Sequence, residues 1–199
     1  DDASLSARLN AIDGVRMVEA RQAVYAEAVV KDFRGTDFDM NTVFYNMEDE
    51  RSINLPDISE ESANISEPAI YLPLYVANFG EFAVGDEIVY EVNGEEYTFF
   101  VAGIAEEMQY GNYGSGLLCV YLPKEEFAEL ADSYSDKAVV EYSMSVKGDA
   151  SLDEVKDDVS KTIENKGAMA LSILDSESVK GTRTMVTDLL VLILAAFAL

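Results

Sequence analysis

Residues 82–107 read FAVGDEIVYEVNGEEYTFFVAGIAEE, and this stretch predicts the central hairpin of the fold. Two runs in which apolar and polar residues alternate flank the pair Asn93-Gly94, and such alternation is typical of a β-strand with one buried face. The alternation runs through Ile88, Tyr90 and Val92 before the pair and through Thr98, Phe100 and Ala102 after it. Asn and Gly both accept the positive φ angles of a type I′ turn, so we expect a tight β-hairpin.

Further strands are predicted on both sides of this hairpin. Residues 15–31 are rich in valine and alanine and predict one long strand or two, although residues 19–28 alone would also tolerate a helix. Residues 117–123, LLCVYLP, predict another strand, and residues 138–148, AVVEYSMSVKG, predict one more.

Two short helices are predicted from capping residues and apolar spacing. One begins after Pro123, with Phe127 and Leu130 on its apolar face. The other lies near the start of the chain, with Ser4 as its N-cap and Gly14 at its end. The apolar face of this second helix consists of Leu5, Leu9 and Ile12.

The best-marked helix lies at residues 151–167. Ser151 and Glu154 have the spacing of a capping box, and Gly167 marks the end. Its apolar stripe consists of Leu152, Val155, Val159 and Ile163. A strand predicted at residues 168–175 completes a strand, helix, strand unit, which usually pairs its strands side by side through a right-handed crossover.

Residues 33–68 are polar and acidic, and they predict an irregular connection with one short strand at residues 42–46. Within this segment four side chains have the spacing of a calcium loop. They are Asp37, Asp39, Asn41 and Glu48. The sixth position of such a loop requires glycine and is Thr42 here, so a polar connection is the preferred interpretation and calcium binding the alternative.

Charge and composition exclude several classes of function. Among 199 residues, 38 acidic and 14 basic side chains give a net charge of -24, which repels nucleic acid and anionic membrane surfaces. The chain has no histidine and no phosphate-binding Gly-x-x-x-x-Gly-Lys motif, and its single cysteine, Cys119, suits a buried strand. We therefore predict no catalytic residue, no cofactor and no metal site, and we interpret GNYGSG at residues 111–116 as a flexible loop.

The last residues, 187–199, read TDLLVLILAAFAL and carry no charge after Asp188. A helix that crosses a membrane needs about 20 apolar residues, and this run supplies about half of that number. We interpret it as the first part of a transmembrane helix. The alternative is a core helix at the end of a soluble domain.

Residues 71–107 also contain short motifs in a recognisable order. A helical stretch at residues 76–83 precedes a Gly-Asp pair, the hairpin follows, and its second strand ends in Val-x-Gly-Ile. In this order and spacing the chain resembles the extracytoplasmic domain of MacB/FtsX-type ABC-transporter permeases. The residues that match the family motifs are Gly85, Asp86, Asn93, Gly94, Val101, Gly103 and Ile104.

The resemblance implies an α+β fold in two parts. Residues 1–51 and 136–186 would form a porter-like βαβ layer from both chain ends, and residues 52–135 an inserted, mostly β lobe. Residues 187–199 would then begin the second transmembrane helix. The domain would lie on the extracytoplasmic side of the cell membrane, with a cytoplasmic ATPase and a second permease subunit as partners.

The implied function is to couple cytoplasmic ATP hydrolysis to export or to an extracellular partner, with no enzymatic activity in this domain. Peptide export, lipid or lipoprotein handling and control of a cell-wall enzyme all remain open. The alternative is a membrane-anchored adhesion or ligand-binding module without transport, whose aromatic residues at 42–46 or 112–116 would contact a partner. That alternative predicts one membrane helix and no ATPase.

Overall fold

The computed structural model describes residues 3–53, 56–62, 67–106, 117–134 and 138–165. Within these ranges the chain is a mixed α+β domain, which confirms the predicted class. The helices are α1 (Ala3–Asn10), α2 (Leu74–Gly80), α3 (Lys124–Ser133) and α4 (Leu152–Asn165). The strands are β1 (Val15–Phe33), β2 (Thr36–Asn46), β3 (Asp57–Glu61), β4 (Ala69–Pro73), β5 (Glu87–Val92), β6 (Glu95–Glu106), β7 (Leu118–Leu122) and β8 (Ala138–Val146).

Six of the strands form a closed ring. β1 pairs with β2, β2 with β7, β7 with β4, β4 with β6, β6 with β5, and β5 with β1 again. The β2–β7 and β4–β6 pairs are parallel, and the other pairs are antiparallel. β8 continues the sheet from β1, and β3 adds to β6, so both lie outside the ring.

β1 links the ring to the remainder of the sheet. It is a single strand of 19 residues, which confirms the strand predicted at residues 15–31. Residues 15–24 pair with β8, whereas residues 23–33 pair with β2. At about 3.3 Å per residue, a strand of this length extends up to about 60 Å.

The ring encloses the main hydrophobic core. Its strands contribute Val24, Ala26, Ala28 and Val30 from β1, Ile88, Tyr90 and Val92 from β5, and Leu118, Val120 and Leu122 from β7. α3 closes one end, where the hydroxyl of Tyr134 donates to the carbonyl oxygen of Val92 at 2.9 Å. α2 lies at the other end, where Phe33, the last residue of β1, contacts Phe79.

Alternate side chains of the same strands form a second core on the outer face of the ring. Val43 and Tyr45 of β2 pack there with Cys119 and Tyr121 of β7. All five residues of β7 are buried, which explains its unbroken apolar sequence. The buried position of Cys119 agrees with the prediction for it.

A third core lies where α1 and α4 pack on β1 and β8. Its buried members are Leu5, Leu9, Val15, Val155 and Val159, with Ile12 and Ile163 partly buried at its edge. The predicted apolar faces are therefore confirmed except at Ile12, which lies beyond the end of α1, and at Leu152, which is half-buried and not a member of this core. The hydroxyl of Ser151 accepts the Glu154 N–H at 3.4 Å, as a capping box requires. The helix α1 begins at Ala3, so Ser4 lies inside it and is not its N-cap.

The prediction of an irregular connection at residues 33–68 is wrong at its start. Residues 36–46 form β2, which pairs with β1 through a turn at Arg34 and Gly35, so the short strand predicted at residues 42–46 is confirmed as the second half of a longer one. Asp37 and Asp39, which resembled calcium-loop ligands, are exposed side chains of this strand and alternate with the half-buried Phe38 and the buried Met40, whereas Glu48 lies in the turn after the strand. Regular alternation of acidic and apolar residues is typical of a half-exposed strand. The polar composition of the segment favoured an irregular connection instead, so the start of the strand was not predicted. β3 was also missed.

The hairpin of β5 and β6 is confirmed, but the face assigned to β6 is wrong. Thr98 is exposed and Phe100 is half-buried, whereas Phe99 and Val101 point into the ring. The two-residue turn pairs Val92 with Glu95, so Ile88 lies opposite Phe99. Ala102 is buried, at a point where the register with β4 shifts.

Two predicted elements lie outside the described residues. These are the strand at 168–175 and the apolar run at 187–199. In the part of the chain that the structure describes, no helix is long and apolar enough to cross a membrane. The remaining predicted strands and the helix after Pro123 are confirmed as β7, β8 and α3.

Candidate functional surfaces

Two of the predicted motifs meet in the structure. The N–H of Gly85 donates to the carbonyl oxygen of Val101 at 2.8 Å. The N–H of Val101 in turn donates to the carbonyl oxygen of Asp86 at 2.9 Å. The carboxylate of Asp86 accepts the Ala83 N–H at 2.8 Å and closes the turn. Gly85 has φ +99°, where a side chain would strain the backbone. The Gly-Asp turn is thus held against the Val-x-Gly-Ile strand.

Gly103 permits a close approach of three strands. A Cβ atom at this position would lie 2.7 Å from the ring of Tyr71 and 2.8 Å from the carbonyl oxygen of Glu60. The Tyr71 hydroxyl donates to Glu61 at 2.9 Å, and burial together with this contact raises the pKa of Tyr71 to about 12. Ile104 is buried in the main core. Gly103 and Ile104 therefore have structural positions.

Asn93 and Gly94 form the turn of the central hairpin. Their φ angles are +50° and +86°, as a type I′ turn requires. This turn lies at the α3 end of the ring, far along β6 from Gly103.

A buried ion pair joins β1 to β8 beside the ring. The guanidinium of Arg21 donates to Glu141 Oε1 at 2.7 Å, and the two side chains are only 3% and 14% exposed. Arg21 also lies 3.5 Å from the ring centre of Tyr45. The hydroxyl of Tyr45 donates to Glu141 Oε2 at 2.8 Å, and burial raises the pKa of Tyr45 above its ordinary value. Sequence patterning gave no sign of this cluster, because Glu141 is 120 residues from Arg21 and 96 residues from Tyr45.

The second surface is an aromatic patch around α2, which we call the α2 patch. Phe33 stacks on Phe38 at 4.8 Å between ring centres and lies 5.7 Å from Phe79 and 6.1 Å from Phe82. Tyr75 stacks on Phe79 at 5.5 Å. Phe33 is buried, so it anchors the exposed rings to the body of the domain.

Two large apolar side chains of α2 are open to solvent. Leu74 is 37% exposed and Phe79 is 47% exposed. The guanidinium of Arg34 lies 5.8 Å from the Phe79 ring centre and forms an ion pair with Glu81 at 3.0 Å. The sequence analysis placed a helical stretch here but did not single out these side chains.

The aromatic contacts expected of an adhesion module are not at residues 42–46. Phe44 is buried inside the ring, and Val43 and Tyr45 are buried in the second core on its outer face. The other candidate segment, residues 112–116, lies outside the described residues.

A small cavity lies beside α3. Its volume is about 240 Å³, and Tyr97, Phe99 and Leu130 form its apolar wall while Glu96, Glu126 and Glu129 form its polar rim. Glu126 accepts the N–H of Ala69 at 3.2 Å. The cavity is small beside the roughly 300–1,000 Å³ of typical ligand pockets.

Metal binding has no structural basis in the described ranges, where no group of three or more acidic or cysteine side chains is placed to hold an ion. Asp37 instead accepts a hydrogen bond from Lys31, on the exposed face of β2. An extended strand cannot provide the sharp loop that the alternative of calcium binding requires.

Comparison with known proteins gives matches to solved structures. No family model matches the sequence, and no match was found among curated proteins. The extracellular domain of the noncanonic ABC-type transporter YknZ from Gram-positive bacteria is 19% identical, with a TM-score of 0.44 over 84% of each chain.

Two further solved structures are similar. The periplasmic region of MacB from Actinobacillus actinomycetemcomitans is 13% identical, with a TM-score of 0.47 over 91% of this chain and 81% of that one. A permease-protein domain from Porphyromonas gingivalis is 12% identical, with a TM-score of 0.42 over 80% of this chain and 74% of that one.

Proposed function

We propose that this chain is the extracytoplasmic domain of a permease subunit of a MacB/FtsX-type ABC transporter. The observation that carries the proposal is the meeting of Gly85 and Asp86 with Val101, because it joins two motifs that the sequence resemblance identified separately. The domain binds no nucleotide. A separate cytoplasmic subunit hydrolyses ATP, and this domain transmits the resulting motion to an exported substrate or to an extracellular partner.

The layout of the sheet supports transmission of movement through the domain. β1 passes without interruption from the part packed on α1 and α4 into the ring. The buried pair Arg21 and Glu141 fixes β8 to β1 beside the point of entry. A displacement applied at α1 and α4 would therefore move the ring as one body.

The proposal includes the domain arrangement that the resemblance implied. Residues 1–51 and 136–186 form the porter-like part, residues 52–135 form the inserted lobe, and residues 187–199 begin a membrane helix. A second permease subunit is the dimer mate. In this arrangement the porter-like part contributes β2 and the second half of β1 to the ring, so the two parts would share one sheet and would not be joined by a flexible linker.

The test is purification of the full-length protein from its native membrane under gentle solubilisation. The proposal predicts that a stoichiometric ATPase subunit co-purifies and that its hydrolysis rate changes when residues 3–165 are deleted. The matched control is Lys161→Ala, an exposed change on α4 that should leave the rate unaltered. Purification without an ATPase would contradict the proposal.

The α2 patch favours a second candidate, an anchored extracellular binding module without transport. Exposed apolar rings such as Phe79 are typical of interaction surfaces and do not require an ATPase. The same purification separates the two candidates, because the binding module should be integral to the membrane yet free of an ATPase subunit.

A further inference from the structure

We propose that the α2 patch is a docking surface for an extracytoplasmic protein segment that presents apolar side chains flanked by lysine or arginine. The recognised features are the exposed Leu74 and Phe79 and the acidic residues around them. The proposal goes beyond the permease function, because it assigns a site and the chemistry of its occupant.

The exposed rings are held in a fixed arrangement before any partner arrives. Phe79 contacts Phe33 below it and Tyr75 beside it, and the Arg34 guanidinium lies over its face. Ordering a side chain at an interface costs conformational entropy, and a side chain that is already ordered avoids that cost. Aromatic anchors in fixed positions are the usual centres of binding energy at interfaces.

Local charge identifies the kind of partner. α2 carries no charged residue, although 26% of the chain is charged. The segments 31–37 and 81–87, which adjoin α2 or support it, hold five acidic and two basic residues. The acidic residues are Asp32, Asp37, Glu81, Asp86 and Glu87, and the basic residues are Lys31 and Arg34.

Both basic residues already have acidic partners. Lys31 contacts Asp37 and Glu91, and Arg34 contacts Glu81. The rim is therefore net acidic around an apolar centre, and a partner with the complementary pattern has an apolar centre and a basic rim.

The same charge disfavours the other occupants. A second copy of this chain would bring another net charge of -24 against an acidic rim, and an anionic membrane surface would be repelled in the same way. Position gives a second reason, which rests on the proposed function. The α2 patch lies at the end of β1 opposite α1 and α4, and if the chain ends lead to the membrane, the patch is far from lipid.

The test is photo-cross-linking in the full-length protein in its native membrane. A photoreactive phenylalanine analogue replaces Phe79, and the cross-linked peptide is sequenced. We expect one extracytoplasmic protein segment with lysine or arginine within a few residues of an apolar attachment site. The same analogue at Tyr97, at the α3 end of the ring, is the positional control and should not give this product.

Three variants check that both apolar contact and charge are required. Leu74→Ser should lower the yield about tenfold, and the double variant Glu81→Lys with Glu87→Lys should lower it by a similar factor. Asn78→Ser, an exposed polar change on the same helix, should leave the yield unchanged. A product that survives Leu74→Ser would reflect nonspecific attraction of cations and would overturn the proposal.

Other products are equally decisive. Cross-linking to lipid, to another copy of this chain or to a segment without basic residues overturns the proposal, and so does the absence of any protein product. Co-purification of the ATPase is measured in the same preparation. If an ATPase co-purifies but no basic segment is cross-linked, only the docking proposal is excluded. If a basic segment is cross-linked but no ATPase co-purifies, only the permease proposal is excluded.

Discussion

The two helices that close the ring differ in what they present to solvent. α3 buries Phe127 and Leu130 and exposes acidic residues such as Glu129. α2 buries Val76 and Ala77 but exposes Leu74 and Phe79, and it has no charged residue. Both helices occupy corresponding places at opposite ends of one core, yet only α3 has the polar outer face expected of a surface helix.

The difference separates the requirements of folding from those of function. α3 demonstrates that a helix can close the ring with an apolar inner face alone. The exposed apolar face of α2 is therefore not needed to close the core. The chain has a net charge of -24, yet this surface helix is uncharged and aromatic. Such a surface is typical of an interaction site and is not explained by stability.

The sharpest test of this comparison is one substitution made in each helix. Leu130→Ala removes a side chain that is 2% exposed and should lower the free energy of unfolding by about 2–5 kcal/mol. Leu74→Ala, the matched control in α2, should change it by no more than about 0.5 kcal/mol. Urea unfolding measures both, and equal losses would mean that α2 packs as tightly as α3.

A second pair of variants concerns two buried tyrosines. Tyr134, the residue after α3, donates its hydroxyl to the carbonyl oxygen of Val92, and Tyr134→Phe should cost about 1–2 kcal/mol. Tyr90→Phe should be neutral or stabilising, because the Tyr90 hydroxyl is buried with no hydrogen-bond partner among the described residues. The melting temperature should fall in Tyr134→Phe and should stay the same or rise in Tyr90→Phe. A clear loss in Tyr90→Phe would reveal a partner for that hydroxyl.

Valine substitutions in the hairpin turns at the two ends of the ring should lower stability by similar amounts. Gly94 and Gly35 have φ angles of +86° and +85°, and a Cβ atom at either position would meet open space. Valine at either position should therefore cost about 1 kcal/mol or more through backbone strain alone. If the melting temperature is unchanged for Gly94→Val, the type I′ turn is wrongly assigned.

The smallest expected effect is a pH dependence at the α2 end. Hydrogen bonds from Lys31 and from the Asp32 N–H hold the pKa of Asp37 below its usual value of 3.8. The stability that this adds is present above pH 3.8 and is lost as the pH falls through the lower pKa of the folded state. Asp37→Asn should flatten the decline of melting temperature in that acid range, and Lys31→Met should do the same. An unchanged profile in both variants would exclude the contact.

Local signals in the sequence were sufficient for much of the fold. Asn93-Gly94 predicted the hairpin, and the capping residues with the apolar stripe predicted α4. Pairings between distant segments could not be predicted, because no local pattern shows that β2 lies parallel to β7 or that the ring closes. The face of β6 could have been found by counting across the two-residue turn from Val92.

The candidate surfaces were harder to predict than the fold. Arg21 and Glu141 meet only because β8 pairs with the first half of β1. The exposure of Phe79 depends on how α2 lies on the end of β1, which periodicity does not indicate for a helix of seven residues. The one available signal was the absence of charge from α2 in a highly charged chain.

The most direct test of the permease account is a distance measurement between two copies of the domain in the membrane. The native Cys119 is buried, so Asn78→Cys provides an exposed spin-label site on α2. The account predicts a measurable distance between the two labels that shifts between the nucleotide-free and ATP-bound transporter. A distance that is identical in both states would contradict it.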